Sequence, residues 1–503
     1  MNLQGLLKDL AIKNITGVLT SDIKGIAYDS RLVGPDFLFV AVRGFTFDGH
    51  TFIKDAIDRG AAAIVTEYAV EKTGAIDLAA QGRTAFIEVS DSREALALIS
   101  AAYYGYPSTR LSLIGITGTN GKTTTSFITK SIIEAGGNNT GLLGTICYMT
   151  GKKPITSVNT TPESLDLQRY LNEMVNNNIT YSVVEVSSHA MTLKRIDGCL
   201  FNVAAFTNFT QDHLDFHKTM DAYFNTKSRL FSYLREGGTA VLNTDDPALR
   251  QFAKTLNCNV ITCGIEQNAM IRAEKIEVGK RIRDDSGTAV RHGLAFDACT
   301  PAGRFSVRSS LTGRMNVYNI LLSIGIAHAL GINREHIRKG ISEALPVEGR
   351  FESIDRGQDF YCIVDYAHTE DALRKLIEEA KLITEKKVIT VFGCGGDRDR
   401  SKRSQMGHAA DTLSDHVVVT SDNPRSEDLE EIIKDIVKGI SSEDFSVIPD
   451  REEAIRYAIL KAETGDTVLV AGKGHEDYQE IKGIRHHFSD REVIIKILKE
   501  ITG

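Results

Sequence analysis

Residues 111–126 hold the feature that most constrains this chain, an apolar run that leads through a glycine-bearing turn into an amphipathic segment. The turn is Gly118–Gly121, and Lys122 and Thr123 follow it directly. This order predicts a strand, a phosphate-binding loop and a helix N-terminus, because glycines let backbone N–H groups approach phosphate oxygens. Lys122 can then reach a terminal phosphate, and a Thr hydroxyl can ligate Mg²⁺. The loop is a variant, since the usual spacing needs glycine where this chain has Ile116.

The composition excludes several classes of function. A chain of 503 residues is too long for one compact core, so we expect three domains. A net charge of −7 argues against broad nucleic-acid binding, which needs clustered positive charge. No apolar run is long enough to cross a bilayer, and we expect no membrane insertion.

Cysteine usage and the N-terminus predict a cytoplasmic protein. The seven cysteines are scattered without a C-x-x-C pair, which favours small buried residues in a reducing compartment over disulfides or a zinc site. The first residues mix Lys and Asp among apolar side chains and lack the pattern of a signal peptide. We expect a monomer whose partners are small molecules.

The order of apolar and helical runs predicts an α/β protein of three domains. A small α/β N-terminal domain spans 1–108, a central P-loop-type domain with a mostly parallel sheet spans 109–345, and a C-terminal Rossmann-like α/β domain spans 346–503. The predicted strands of the two larger domains are Tyr181–Val186, Phe201–Phe206, Thr239–Asn243, Phe360–Val364, Val388–Phe392, His416–Thr420 and Thr467–Ala471. Ligands of such sheets lie beyond the carboxyl ends of the strands, so functional residues are expected directly after these runs.

Polar residues follow two of the central strands. Glu185 ends one of them and, beside a phosphate loop, is the expected carboxylate ligand of Mg²⁺, although a lone acid there also suits a helix cap. His213 lies in a dense group of Asp and His after the next strand, and we select it as a metal ligand. Its neighbours Asp212, Asp215 and His217 are ordinary loop and cap residues in our interpretation.

Taken together, these motifs resemble the Mur ligase family, the ATP-dependent amino-acid ligases of peptidoglycan precursor synthesis. The matching motifs are TGTNGKTT (Thr117–Thr124), EVSSH (Glu185–His189), Thr207-Asn208, DHLD (Asp212–Asp215), GRMNVYN with Asn316 and Asn319, Gly349-Arg350, DYAHT (Asp365–Thr369) and GKGHE (Gly472–Glu476). The similarity extends over all three predicted domains. Asp29-Ser30-Arg31, Asn159–Pro162 and Asp422–Arg425 point to the member that adds the third amino acid.

The resemblance implies that ATP phosphorylates a substrate carboxylate and that an amine then attacks the acyl phosphate. Lys122 would stabilise the transferring phosphoryl group, and Arg350 and Asp365 would reach ATP when the third domain closes. Mg²⁺ would be held by Thr123, Glu185, His213 and a carbamylated Lys227, a lysine that carries little information on its own. The implied ATP-binding residues are Gly118, Thr119, Asn120, Gly121, Lys122, Thr123, Thr124 and, on the adenine side, Asn316.

The second implied substrate is UDP-N-acetylmuramoyl-L-alanyl-D-glutamate. The residues implied for it are Ser30, Phe45, Thr46, Phe47, Asn159, Thr160, Thr161, Ser187 and Arg195. Two positions depart from the family pattern. Leu193 stands where relatives often carry Gln, so one substrate hydrogen bond is in doubt, and Glu370 replaces a proline, which puts the local turn in doubt.

The resemblance assigns the choice of amino acid to the third domain. The implied residues are Arg398, Asp422, Asn423, Pro424, Arg425, Gly472 and Glu476. Two arginines can hold the distal carboxylate that meso-diaminopimelate has and L-lysine lacks, and Glu476 can meet the neighbouring ammonium. We therefore predict meso-diaminopimelate as the added amino acid.

Three alternatives stay open at this point. The same ligase could add L-lysine, since Asp422–Arg425 also reads as a simple turn. A folylpolyglutamate synthetase-like ligase would share the loop and fold. A P-loop regulatory ATPase would use Lys122, Thr123 and Glu185 in the same roles and the third-domain arginines only to hold domains together.

Overall fold

The computed structural model describes residues 1–44, 47–73, 84–266, 268–283 and 289–502. In these residues three large sheets follow one another along the chain, with a further two-stranded hairpin near the C-terminal end, and the predicted α/β class is confirmed. None of the described helices has both the length and the apolar character that a bilayer crossing requires. The domain limits at 108 and 345 stay predictions.

The first sheet has five strands, and all neighbours are parallel except the first pair. In spatial order the strands are Ile12–Thr16, Ala85–Val89, Ala61–Thr66, Phe37–Val40 and Gly25–Ala27. Its α-helices are Leu3–Leu6, Ile53–Asp58 and Ser92–Tyr103, and its 3₁₀ helices are Ser30–Leu32, Gly49–Phe52 and Val70–Lys72. Apolar clusters cover both faces of this sheet.

The second sheet has eleven strands and carries the phosphate-loop motif in its parallel centre. In spatial order they are Gly303–Ser309, Ala289–Thr300, Ile271–Arg283, Asn259–Gly264, Leu234–Asn243, Phe201–Phe206, Ser112–Thr117, Tyr181–Glu185, Thr140–Leu143, Cys147–Met149 and Ile155–Thr156. Its α-helices are Lys122–Ala135, Ser164–Asn176, Ser188–Thr192, Leu214–His217, Met220–Ser228, Pro247–Ala253, Arg314–Ala329 and Arg334–Glu343, with 3₁₀ helices at Pro107–Thr109 and Arg229–Tyr233.

The centre of this sheet positions the site. Ser112–Thr117 pairs in parallel with Tyr181–Glu185 on one side and with Phe201–Phe206 on the other. The carboxyl ends of three neighbouring strands therefore meet at one edge. They deliver the phosphate loop, Glu185 and the segment that begins at Thr207.

The antiparallel part of the second sheet was not predicted. Ile271–Arg283, Ala289–Thr300 and Gly303–Ser309 form an antiparallel extension beside the parallel centre. In the last of these strands buried and exposed residues alternate, as expected for a strand that packs on one face only. Such strands lack the continuous apolar runs by which the parallel ones were recognised.

The third sheet has six strands, parallel except at its first edge. In spatial order they are Glu352–Ser353, Tyr361–Asp365, Thr467–Ala471, Val388–Phe392, His416–Val419 and Phe445–Val447, and a hairpin of Tyr478–Ile481 and Ile484–His487 stands apart. Its helices are Glu370–Ile383, Ser401–Leu413, Leu429–Val437, Arg451–Lys461 and Asp490–Thr502. Buried clusters on both faces give it the doubly covered form predicted for this part of the chain.

Polar contacts join the second and third sheet regions. The Glu379 carboxylate, on helix Glu370–Ile383, accepts hydrogen bonds from the backbone N–H groups of Arg314 at 2.9 Å and Met315 at 3.4 Å. A carboxylate at the start of a helix satisfies N–H groups that have no partner within the helix. The Tyr361 hydroxyl donates to the Gly279 carbonyl at 2.7 Å.

Candidate functional site

The phosphate loop is built as the sequence predicted, between strand Ser112–Thr117 and helix Lys122–Ala135. Gly118 and Gly121 have φ of +143° and +82°, values that side chains disfavour. A Cβ on Gly118 would lie 1.8 Å from Thr207 Oγ1, and one on Gly121 would lie 2.4 Å from Asn319 Oδ1. Both positions therefore require glycine for space as well as for conformation.

Two lysines converge on one backbone oxygen of this loop. Lys122 Nζ donates to the Gly118 carbonyl at 2.8 Å and to the Thr119 carbonyl at 2.9 Å. Lys227 Nζ donates to the same Gly118 oxygen at 2.7 Å, and its side chain is buried. Burial lowers the pKa of both amines, that of Lys227 well below its usual value, and the Lys122 charge lowers the pKa of Lys227 further.

The Glu185 carboxylate faces the first turn of the loop helix. Its Oε2 accepts hydrogen bonds from the Thr123 hydroxyl at 2.9 Å and the Thr145 hydroxyl at 3.0 Å, and its Oε1 accepts from the Thr145 N–H at 3.1 Å. Glu185 itself is fully buried. Carboxylate and hydroxyl oxygens thus lie together, and such hard oxygens are the donors that Mg²⁺ prefers.

The segment after strand Phe201–Phe206 supports the loop from its other side. The Thr207 hydroxyl donates to the Asn120 carbonyl at 2.5 Å, and the Asn208 side chain accepts from the Asn120 N–H at 3.0 Å. His213 lies further on, half exposed, with its ring 4.9 Å from that of His189 and its Nε2 3.4 Å from Asp212 Oδ2. Thr124 is buried in the helix behind the loop.

The predicted adenine-side residue is buried. Asn316 is 2% exposed, its amide donates to the Thr312 carbonyl at 2.7 Å, and its carbonyl oxygen accepts from Asn319 at 2.8 Å. Asn319 in turn accepts from the Thr125 hydroxyl at 3.3 Å. Asn316 and Asn319 thus connect helix Arg314–Ala329 to helix Lys122–Ala135 through hydrogen bonds. The role of Asn316 in adenine binding stays a prediction.

Among the described residues, no group of three or more His, Cys, Asp and Glu side chains is arranged to hold a metal ion. The predicted set nevertheless fits Mg²⁺ in its chemistry, because Thr123 and Glu185 offer adjacent hydroxyl and carboxylate oxygens. His213 and Lys227 lie on the segments that flank the loop.

Arg350 and Asp365 extend the site into the third sheet region. The Arg350 guanidinium lies 5.0 Å from the centre of the Tyr366 ring, and the His475 ring lies 5.2 Å from it. The Arg350 charge contributes to the lowered pKa of Lys122, after the larger effect of burial. Burial raises the pKa of Asp365, while Arg350 and the N–H groups of Phe351 and Ala367 oppose that rise.

Two loops of this region touch backbone to backbone. Gly349 has φ +64°, and a Cβ there would lie 2.2 Å from the Gly474 carbonyl carbon and 2.2 Å from the His475 nitrogen. Burial lowers the pKa of His475 to about 4, and the Arg350 charge adds to this. The imidazole beside Arg350 is therefore neutral near pH 7.

The predicted amino-acid residues assemble around the loop Asp422–Arg425. Asn423 Nδ2 donates to Glu476 Oε2 at 2.8 Å. Arg425 donates to the Gly396 carbonyl at 2.6 Å, and Arg398 is exposed on the same glycine loop. A Cβ on Gly472 would lie 2.7 Å from the Asp422 carboxylate. Pro424 is buried between these residues.

Sequence reasoning missed the buried cations Lys473 and Arg451, which support this assembly. Lys473 is fully buried and donates to Asn423 Oδ1 at 3.2 Å. Arg451 forms a fully buried pair with Asp490 at 2.7 and 2.8 Å and donates to the carbonyls of Ser421 and Ala471, which precede the two amino-acid loops. Lys473 lies inside a motif that the sequence displayed, whereas nothing local marks Arg451.

The residues predicted for the UDP-linked substrate lie on the first two sheet regions. Thr161 donates to the Glu185 carbonyl at 2.8 Å, and the Arg195 guanidinium donates to the Thr161 carbonyl at 2.8 Å. Ser187 accepts from the Ala190 N–H at 3.1 Å. The Thr160 hydroxyl lies 3.1 Å from the Thr145 hydroxyl, and the Asn159 N–H donates to the Tyr148 hydroxyl at 3.0 Å. In the first sheet region Ser30 is buried in a 3₁₀ helix, whereas the Phe47 side chain is 72% exposed. Phe45 and Thr46 lie outside the described residues.

Leu193 and Glu370, the two departures from the family pattern, lie at the ends of helices. Leu193 follows helix Ser188–Thr192 and is buried. Glu370 begins helix Glu370–Ile383, where the Thr369 hydroxyl caps the Ala372 N–H, and it pairs with Arg374. The turn that Glu370 put in doubt is therefore a capped helix start.

Comparison with known proteins agrees with this geometry. Family models for a Mur ligase family catalytic domain, a Mur ligase middle domain and a Mur ligase glutamate ligase domain match residues 22–104, 116–327 and 349–474. UDP-N-acetylmuramoyl-L-alanyl-D-glutamate–2,6-diaminopimelate ligases of Geobacillus thermodenitrificans and Clostridium botulinum are 44% and 43% identical, over 95% and 100% of both chains. A solved structure of a ligase with the same name aligns with TM-score 0.68 and 29% identity, over 100% of this chain and 99% of the other. The chain belongs to the Mur ligase family.

Proposed function

We propose that this protein is an ATP-dependent ligase that joins meso-diaminopimelate to UDP-N-acetylmuramoyl-L-alanyl-D-glutamate, in peptidoglycan precursor synthesis. The observation that carries the proposal is the meeting of three elements at one edge of the central sheet. These are the loop with Lys122, the buried Glu185 beside Thr123, and the segment Thr207-Asn208 that hydrogen-bonds Asn120. The names of the relatives at 43% and 44% identity support the choice of substrates.

The first step transfers the γ-phosphoryl group of ATP to the substrate carboxylate and yields an acyl phosphate and ADP. A carboxylate is a poor electrophile, and the transfer gives it a leaving group. Lys122 and the loop N–H groups stabilise charge on the transferring group. The positive charge of Arg350, which is felt at Lys122, would add to this stabilisation.

The second step forms the amide bond. The amine of the incoming amino acid attacks the acyl carbon, and the tetrahedral intermediate releases inorganic phosphate. The acyl phosphate is hydrolysable, so contact between the second and third regions serves to exclude water. The bond from the Arg314 N–H to Glu379 and the bond from Tyr361 to Gly279 hold these regions together.

Thr123, Glu185 and His213 would hold Mg²⁺, which neutralises phosphate charge when it is bound. Lys227 would contribute as a carbamate, since burial lowers the pKa of its amine and so favours the neutral form that reacts with carbon dioxide. Carbamylation would place an anion close to the Lys122 ammonium, since both side chains meet at the Gly118 oxygen, and opposite charges at this distance attract each other.

Specificity for meso-diaminopimelate follows from the charges of the third region. Arg425 and Arg398 can bind a distal carboxylate, and Glu476 can bind the ammonium next to it. L-lysine has no distal carboxylate and would leave the arginines without a partner. Residues 1–108 would bind the UDP-sugar part through Ser30 and the 45–47 loop.

An amino-acid panel tests the proposal. The protein is incubated with ATP, Mg²⁺ and the UDP-muramoyl dipeptide, with one amino acid per reaction, and product masses are recorded. We expect the mass increase of one diaminopimelate residue, with ADP formed in equal amount. A higher kcat/KM for L-lysine would contradict the specificity, and turnover of a folate in place of the dipeptide would contradict the substrate class.

Two variants on one helix serve as controls for the panel. Lys122→Met removes the cation at the phosphate loop and should abolish turnover. Lys130→Met changes a lysine that pairs with Glu134 near the surface of the same helix and should leave turnover unchanged. ATP hydrolysis without either cosubstrate would favour a regulatory ATPase. Cytoplasmic location and the monomeric state stay predictions.

A further inference from the structure

Lys473 is a buried cation for which the proposed reaction has no role so far. Its side chain is fully buried, and its ammonium lies 5.6 Å from the centre of the Tyr478 ring. Burial removes the hydration of a cation, and hydrogen-bonding or charged partners must offset this desolvation penalty. Its partners here are Asn423 Oδ1 at 3.2 Å and Glu476 Oε2 at 3.4 Å.

These contacts fix one oxygen of Glu476 and not the other. Glu476 Oε2 accepts from both Asn423 Nδ2, at 2.8 Å, and Lys473 Nζ. Asn423 is itself held by Lys473 and by the Glu480 N–H, which donates to its Oδ1 at 2.9 Å. The amide of Asn423 is therefore oriented with its NH₂ group toward Glu476.

We infer that Lys473 is a positioning residue for amino-acid specificity, which acts by orienting Asn423 and Glu476 so that Glu476 Oε1 faces the amino-acid substrate. The inference rests on the proposed function and deepens it. It assigns to Lys473 the recognition of the distal ammonium, through Glu476, and no part in the phosphoryl transfer. The side-chain partners of Lys473 within the described part of the chain are Asn423, Glu476 and Tyr478, which all belong to the third region.

The test compares Lys473→Met with Lys482→Met, a change at an exposed lysine of the neighbouring hairpin turn. Loss of a hydrogen bond to a charged group changes an equilibrium constant by about tenfold or more. We expect Lys473→Met to raise KM for meso-diaminopimelate by about tenfold or more, with KM for ATP and for the UDP-dipeptide changed less than about twofold. Lys482→Met should leave all three constants unchanged.

A substrate analogue and a double variant separate positioning from general support. 2-Aminopimelate has both carboxylates but lacks the distal ammonium, so Lys473→Met should change its KM little. The double variant Lys473→Met/Glu476→Gln should raise KM for meso-diaminopimelate no more than Glu476→Gln alone does, because Lys473 acts through Glu476. If Lys473→Met does not fold, Lys473→Gln keeps one donor without the charge, and the same pattern is expected.

The outcomes are distinct. Equal loss of activity with both amino acids, additive effects in the double variant, or an unchanged KM for meso-diaminopimelate would overturn the role of Lys473 while the proposed function stands. A wild-type protein with no turnover of meso-diaminopimelate would overturn the proposed function and the inference together.

Discussion

Replacement of Lys227 tests the electrostatics at the centre of the site. Lys122 and Lys227 donate to one Gly118 oxygen at 2.8 and 2.7 Å. Their nitrogens are therefore within about 5.5 Å of each other, a distance at which two unit charges interact by about 3 kcal/mol at an effective dielectric constant of about 20. A carbamate anion on Lys227 would make this interaction an attraction to the Lys122 ammonium.

We expect Lys227→Ala to lower kcat by about 10²-fold, because a loss of about 3 kcal/mol in the transition state corresponds to roughly two decades in rate. The assay is steady-state ligation with meso-diaminopimelate. Short carboxylates such as formate or acetate should restore part of the rate, since the alanine leaves space for an anion. Lys227→Met fills that space with an uncharged chain, and the same carboxylates should not restore its rate.

The pH dependence gives an independent check. The pKa of Lys227 is lowered by burial and by the Lys122 charge, so the neutral amine that reacts with carbon dioxide increases as pH rises through that lowered value. ¹³C-labelled bicarbonate should therefore give a carbamate signal that grows with pH in the wild type and is missing in Lys227→Met. A normal kcat for Lys227→Ala, or equal rescue of both variants, would refute the reasoning.

Three further changes probe the third region. Gly349→Ala places a Cβ 2.2 Å from the Gly474 backbone, at a residue with φ +64°. The displaced loop should move Arg350 and lower kcat at least about tenfold in a steady-state assay. An unchanged kcat would contradict the close packing of the two loops. His475 has a pKa of about 4, against 6.5 for an unperturbed histidine, so the unfolded chain binds more protons between these values. The free energy of unfolding therefore decreases as pH is lowered from about 6.5 to about 4, by up to about 3 kcal/mol. His475→Gln should flatten this part of a plot of Tm against pH, and an unaltered plot would contradict the assignment. Arg451→Met leaves the buried Asp490 unpaired and should lower the free energy of unfolding of the third region by about 3–5 kcal/mol, measured by urea denaturation. Arg456→Met, at a more exposed ion pair with Glu500, is the control. A smaller loss for Arg451→Met than for Arg456→Met would contradict the role of the buried pair.

The sequence by itself determined the local parts of the site. The phosphate loop, Glu185 at a strand end and the segment at Thr207 were recognisable because strands and turns leave short-range patterns, and the parallel order of strands brings their carboxyl ends together. The α/β class was predictable for the same reason.

Tertiary structure alone decided which side chains share a partner. Lys227 meets the Gly118 oxygen across 109 positions, Lys473 meets Asn423 across 50, and Arg451 meets Asp490 across 39. Charge pairing in a buried site depends on distances between segments, and local sequence does not encode those distances. The antiparallel strands Ile271–Arg283, Ala289–Thr300 and Gly303–Ser309 were missed for a related reason, because strands buried on one side lack the continuous apolar runs of the parallel centre.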